Sequence, residues 1–291
     1  MARVKWDQIA EKFFEGGCSK GMCYSYNPDT KSYDYGEAWN GISGFTDNPS
    51  GADEQASYAD NIKYISMRGA ENYGGTIRCF WYPENFKACL GKKTVTSGVT
   101  ISQQARATFG FAVTTQVGND TQGTEAGETI HLVWNATTSP SSKDYNTLNE
   151  SPSPSELSFE FSANPIEVGT NYKPTCSMEI CTVGMDTTQL AKVEHLKRVL
   201  YGADYEDGAD DTYFDVAVPA TATEAPANWA TDVAAGKYYT KSTNTYTVVA
   251  SGTSFSAGTV YYTLKEASLP SPAEIITDIF GGSVNSVAAQ G

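Results

Sequence analysis

Histidine is almost absent from this chain: two residues, His131 and His195, in 291. So few imidazoles leave little for general acid–base catalysis or for a histidine-built metal site. No stretch approaches the roughly 20 apolar residues that a membrane helix needs. Met1–Asp7 opens with alternating charge and no apolar run follows, so no secretory signal is expected and the chain is expected to stay in the cytosol. Basic residues are also scarce, 20 Lys and Arg against 34 Asp and Glu, for a formal net charge of −14 and a pI near 4.5. That balance repels phosphate backbones and anionic membrane surfaces, which argues against a nucleic-acid clamp and a membrane partner. Neither a Walker loop nor a Gly-x-Gly-x-x-Gly loop is present. No catalytic group, cofactor site or metal site is expected.

What the chain does have is material for β structure. Hydrophobic residues make up 40% and aromatics 12%, with 18 Tyr. Flat rings pack well on a pleated, half-buried surface. Strands are expected at Gly21–Tyr26, Tyr33–Trp39, Tyr64–Arg68 and Thr76–Tyr82, with turn chemistry at Asn27-Pro28-Asp29-Thr30. Thr108–Val117 and Thr129–Ala136 form the clearest hairpin, joined by the long polar stretch Gly118–Glu128. Leu157–Ser162 alternates apolar and polar residues, as a strand with one buried face should. Trp6, Ile9, Ala10 and Phe13 fall at helical spacing, so residues 6–14 read as a short helix or as an arm that docks on a neighbour. Pro83–Cys89 reads as another short helix.

One longer helix is expected over Thr187–Tyr201. Asp186 is its N-cap, Gln189 completes a capping box and Gly202 stands at C′. Leu190, Val193, Leu196 and Leu200 make its apolar stripe, with His195 pointing away. Together these elements predict a mainly β fold: an antiparallel, barrel-like sandwich with one packed helix.

Six cysteines include two pairs, Cys18/Cys23 and Cys176/Cys181, with four residues between the members of each. On a regular strand that spacing puts the sulfurs on opposite faces. Free, mostly buried thiols are therefore expected, with zinc the minor alternative. Gly17-Cys18-Ser19-Lys20-Gly21 matches the nucleophile-elbow pattern, but that motif needs a strand before it and a helix after it. Here it reads as a turn.

Residues 203–265 differ from the rest. An acidic run, Asp204–Asp211, leads into Ala- and Thr-rich sequence. A weak repeat follows, Ala235–Thr240 and Ala257–Thr263, with Thr245–Val249 between the copies. This reads as a small inserted β unit behind a flexible entry, splitting a main domain of residues 1–202 and 266–291. Residues 281–291 read as a mobile tail.

Ordered blocks along the chain resemble the major tail protein family of long-tailed phages infecting Gram-positive bacteria. They are Met1–Asp7, Tyr58–Tyr64, Gly98–Gln104, Phe109–Phe111, Val117–Thr121, Ile130–Val133, Ala136–Ser141, Asn149–Pro152, Leu200–Gly202 and Leu269–Ile276. The resemblance covers roughly residues 1–202 and 266–282 and leaves out the insertion.

That resemblance implies a structural virion subunit, not an enzyme. Copies would form hexameric rings stacked into a tail tube, the conduit for DNA ejection, with edge strands meeting between neighbours. Besides itself, the implied partners are the tape measure, tail terminator and distal tail proteins, with DNA passing unbound. The candidate inter-subunit contacts are Trp6 and Phe13 in the arm and Gly118, Asn119, Asp120, Thr121, Glu125 and Glu128 in the long loop. The insertion is expected outside the tube. Tyr238, Tyr239, Tyr261 and Tyr262 read first as strand residues packing a small core in the insertion, with a weak carbohydrate-binding decoration as the alternative. Two rival readings of the whole chain are a secreted β-sandwich carbohydrate-binding module, which suits the Tyr content, and a hydrolase built on Ser19.

Overall fold

The structure, a computed structural model, describes residues 5–51, 53–143, 147, 154–202, 214–242 and 245–283. The acidic run, the block Asn149–Pro152 and residues 284–291 lie outside that set. The chain is mainly antiparallel β, as the sequence predicts.

The main sheet is built from β1 (Phe13–Asn27), β2 (Ser32–Ala38), β3 (Ile42–Asp47), β7 (Glu71–Cys79), β10 (Phe109–Asn119), β11 (Gly123–Thr138) and β12 (Leu157–Ala163). Their order is β2-β1-β10-β11-β12-β7-β3. Two short strands pair off this path: β13 (Ser177–Cys181) on β11, and β4 (Ser50–Gly51) on β7. The sheet curls until β3 returns to touch β1.

Two cores follow from the period of the strands. Phe109, Phe111 and Val113 of β10 point into the barrel with Val133, Phe159 and Phe161. A short helix, α1 (Phe86–Cys89), plugs this interior: the Phe86 ring lies 4.4 Å from Trp39 and 5.2 Å from both Phe109 and Phe159. On the outer face Ala112, Ile130, Leu132 and Trp134 pack beneath α2 (Thr187–Tyr201), which presents Val193, Leu196 and Leu200. Every residue from Phe109 to Thr114 of β10 is therefore buried, because each face of the strand meets a core there. Trp134 and Ala136 would share a face on a regular strand. Asn135 between them takes a positive φ of 50° and the β10–β11 register shifts there, which sends Trp134 outward and Ala136 inward.

α2 forms as the sequence predicts, with both halves of the capping box: Gln189 N–H to Asp186 at 2.8 Å, and Asp186 N–H to Gln189 at 3.1 Å. Its stripe is shorter than expected, since Leu190 is exposed. The C-terminal segment finishes the outer core. Trp134 donates to Pro270 O at 2.8 Å, and α4 (Pro272–Glu274) continues as a π-helical turn, Ile275–Ile279, with Ile275 fully buried.

Three sequence expectations are corrected. Residues 6–12 form no helix; the strand begins at Phe13. The stretch 118–128 is no long loop, because β10 and β11 stay paired down to Asn119↔Gly123 and leave only Asp120, Thr121 and Gln122 as the connection. The 17–21 pentapeptide is neither turn nor elbow but a bulged part of β1, with Gly17 at φ 73° and Lys20 at φ 52°. Those irregularities also break the cysteine argument. Cys18 packs against the same inner core that holds Cys23, although five positions separate them. All six cysteines are free thiols, four of them buried, while Cys18 is half-buried and Cys181 is exposed.

Within 214–264 a second sheet carries its own cores. β14 (Phe214–Val218), β17 (Tyr261–Leu264), β15 (Tyr239–Ser242) and β16 (Thr245–Val248) lie in that order, with α3 (Trp229–Ala234) beside them. The two repeat copies pair with each other through Tyr239↔Tyr262. Tyr238, Tyr239 and Tyr261 are buried around Trp229 and Phe214, so they offer no platform for a sugar ring.

Candidate assembly surface

Four strands make up one end of the main sheet: β1, β10, β11 and β13. β2 pairs with β1 only from Met22 onward, and β12 pairs with β11 only from Ala136 onward. Residues 13–20 of β1 therefore hydrogen-bond through the backbone to β10 alone, and β13 to β11 alone. The half-sheet is open at both edges among the described residues. Open edges in soluble proteins are normally short, charged or covered, because they template further pairing.

A polar row crosses this half-sheet on the face away from α2. His131 Nε2 lies 3.2 Å from Glu15 on β1 and 2.9 Å from the Thr115 hydroxyl on β10, and its Nδ1 lies 3.5 Å from Glu179 on β13. The Glu15 carboxyl is held below the usual carboxylate range, first by the Thr115 hydroxyl and then by His131, against the opposing pull of burial. On the other face Glu128 is bound to Lys197 of α2 and lies 3.9 Å from Lys20. Burial works against the charge on Lys197, but hydrogen bonds to Glu128 and Glu194 outweigh it and hold the ammonium above its usual range. His195 is half-buried on α2, well apart from this row in sequence and element.

The predicted contact residues divide. Phe13, Gly118, Asn119, Asp120 and Thr121 come together at the tip, where Phe13 pairs with Asn119 and Phe14 packs on Gly118. A Cβ on Gly118 would meet the Phe14 ring at 2.4 Å and Gly123 O at 2.1 Å, so glycine is required there by space. Asn119 is buried and builds the turn: its Oδ1 accepts from Thr121 N–H at 3.0 Å and Gln122 N–H at 2.6 Å. Ala10 N–H donates to Asp120 at 2.9 Å, tying the N-terminal segment to the same tip. Trp6 is 75% exposed, and Glu125 is exposed at the tip, on β11 just past the turn. Glu128 is committed to its ion pairs within the chain.

Sequence reasoning missed the most exposed apolar feature. β5 (Glu54–Ala59) and β6 (Ile62–Arg68) form a two-stranded arm that leaves the body at the Glu71 end of β7. Every residue of both strands is exposed, including Tyr58, Ile62 and Met67, and Tyr64 at 75%. Asp60 and Asn61 at its tip both take positive φ, 52° and 64°, the combination that a tight primed hairpin turn needs. An isolated hairpin is marginal in water, and a row of exposed apolar side chains marks an interaction surface. The usable signal was the Asp-Asn pair between two β-rich runs. A second hairpin, β8 (Lys93–Thr96) with β9 (Val99–Ile101), is exposed throughout.

Among the described residues no helix is long and apolar enough to cross a membrane. Among the described residues no group of three or more His, Cys, Asp or Glu is placed to hold a metal ion. The geometry defines a mainly β chain with open sheet edges and projecting apolar arms. No protein-family model matches the chain, and a search of the curated proteins finds no match. Among solved structures, it is similar to a chain in the extended-state sheath–tube complex of an extracellular contractile injection system, PVC, with 14% identity, a TM-score of 0.23, and 61% of this chain and 93% of that chain covered. That overlap is loose, and nothing about this chain's function follows from it.

Proposed function

We propose that this chain is a tail tube subunit of a long-tailed phage, a structural virion protein that acts by self-association. The observation that carries the reading is the half-sheet open at both edges. β1, β10, β11 and β13 alternate in direction, so β13 runs opposite to β1. Setting β13 of one copy beside residues 13–20 of the next continues an antiparallel ladder, and repetition around an axis closes it. Closure satisfies both edges at once. Such a contact joins two different surfaces and is heterologous, so its repetition makes a ring.

The sequence resemblance supplies the rest of the proposal: hexameric rings, stacking into a tube, a lumen through which DNA passes unbound, and tape measure, tail terminator and distal tail proteins as partners in the virion. The chain is not an enzyme in this reading. The β5–β6 arm and the Trp6–Phe13 segment are the parts that bury their apolar side chains on neighbouring copies. Residues 203–265 form an inserted unit outside the tube, consistent with a separate sheet that has its own cores.

Sedimentation velocity and negative-stain electron microscopy of the purified chain test the reading. Rings or tubes with a central channel are expected. Monomers that persist at every concentration and salt condition would overturn it.

A further inference from the structure

The two ends of the β10–β11 hairpin carry opposite charge. At the end where β10 begins and β11 finishes, a cleft of about 130 Å³ is lined by Tyr82, Lys92, Arg106 and Lys143. Arg106 is fixed there by Thr138, donating to its carbonyl at 2.9 Å and its hydroxyl at 3.1 Å. Lys92 stands 5.7 Å over the Tyr82 ring, and Lys93 follows it, exposed. The nearby carboxylates include Glu84, which is paired with Lys87, Glu156, and Glu160, whose backbone carbonyl accepts from Ser139 of the cleft lining. In a chain of net charge −14 this end is locally positive.

About 33 Å away along β10, at strand spacing, the tip holds Glu11, Glu15, Asp120 and Glu125 against Lys12 alone within residues 10–15 and 119–125. Both ends also expose large apolar groups. Trp81, 69% exposed, stacks on Tyr82 at the basic end, and Trp6, Ile9 and Phe13 stand at or near the acidic tip. An apolar centre with a charged rim is the usual make-up of a protein interface.

We infer that the basic end of one copy docks on the acidic tip of a second copy, head to tail, and that this contact stacks the rings. The inference rests on the tail tube reading and specifies which ends of the subunit meet. The occupant of the basic cleft is a carboxylate from the tip of the next copy, chosen by charge complementarity. Opposite charge at the two ends also sets polarity, since like ends repel and stacking proceeds in one direction.

Charge reversal tests this. Lys93→Glu with Lys143→Glu makes both ends acidic; Glu11→Lys with Glu125→Lys makes both ends basic. All four positions are exposed, so the fold tolerates the changes. Each double variant is expected to give rings that do not stack, with the concentration needed for tube formation raised by about tenfold or more. The quadruple variant, or a mixture of the two doubles, restores tubes. Double variants that form tubes like the unmodified chain, or a quadruple variant no better than either double, would overturn the inference. Failure of the unmodified chain to form rings would instead count against the tail tube reading itself.

Discussion

Asn119→Ala probes the tip where the turn, β1 and the N-terminal segment meet. The Asn119 side chain is buried and accepts three hydrogen bonds, from Thr121 N–H, the Thr121 hydroxyl and Gln122 N–H. Its amide also donates to Gln122 at 3.2 Å and weakly to Ala10 O at 3.4 Å. A typical intramolecular hydrogen bond contributes about 0.5–1.5 kcal/mol net, and a buried group left unpaired costs about 1–3 kcal/mol. Thr121 and Gln122 are exposed, so water replaces much of what their N–H groups lose. The expected destabilisation is therefore about 1–2 kcal/mol rather than the sum of three bonds. Asn119→Asp keeps the acceptor and loses the donor; the charge it adds beside Asp120 is offset by the two N–H groups and the hydroxyl that donate to it, so it should cost less than about 1 kcal/mol. Urea unfolding gives both values, and amide hydrogen exchange of residues 10–14 reports whether the segment loosens with the turn. Asn119→Ala as stable as the unmodified chain, or Asn119→Asp as damaging as Asn119→Ala, would refute the account of this tip.

Three further outcomes follow from the same geometry. Asp186→Ala removes the N-cap of α2 and should cost about 1 kcal/mol, seen as a lower urea midpoint with unchanged slope. Burial pushes the Cys89 thiol up to about 12 from an ordinary value of 9.0. The stability gained by burying it neutral is complete below about pH 9 and is lost as pH rises toward 12; at pH 8 iodoacetamide should label exposed Cys181 well before Cys89, as read by mass spectrometry of peptides. Ile62→Asp with Tyr64→Asp in the β5–β6 arm should leave the monomer's stability within about 0.5 kcal/mol, as for other exposed sites, yet abolish tube formation by electron microscopy.

The sequence made the regular elements legible wherever one face is buried. The α2 helix announced itself through Asp186, Gln189 and the Val193–Leu200 stripe, and β12 through its strict alternation. Leu190 falls on the same stripe near the N-terminal end of α2 and is nonetheless exposed. What stayed hidden depends on contacts made far along the chain. Trp6, Ile9 and Phe13 sit at helical spacing, but Phe13 pairs with Asn119, more than a hundred residues away, and that pairing decides the strand. Polar, Gly-rich 118–128 looks like a loop in isolation and becomes a ladder because β1 lies alongside. The bulges at Gly17–Gly21 and Asn135 shift the period by which faces are read, so Cys18 and Cys23 reach one core. Of the candidate contacts, the tip residues do cluster. Glu128 is turned inward to Lys197, and the arm at Tyr58–Met67 went unnoticed because only Tyr64–Arg68 read as a strand.

Edge-to-edge contact is tested most directly by cross-linking. With Cys181→Ser as background, cysteines are placed together at Glu15 on β1 and Glu179 on β13, and each alone, and a short bis-maleimide is added. Glu15 and Glu179 of one copy flank the same His131, so the paired variant can also link within a chain, and the decisive sample is an equal mixture of the two single variants. That mixture should yield covalent dimers, while each single variant alone stays monomeric on a denaturing gel. Cross-linking of a single variant to itself would mean that like edges meet, and no dimers from the mixture in assembled material would contradict a wall built from β1 and β13.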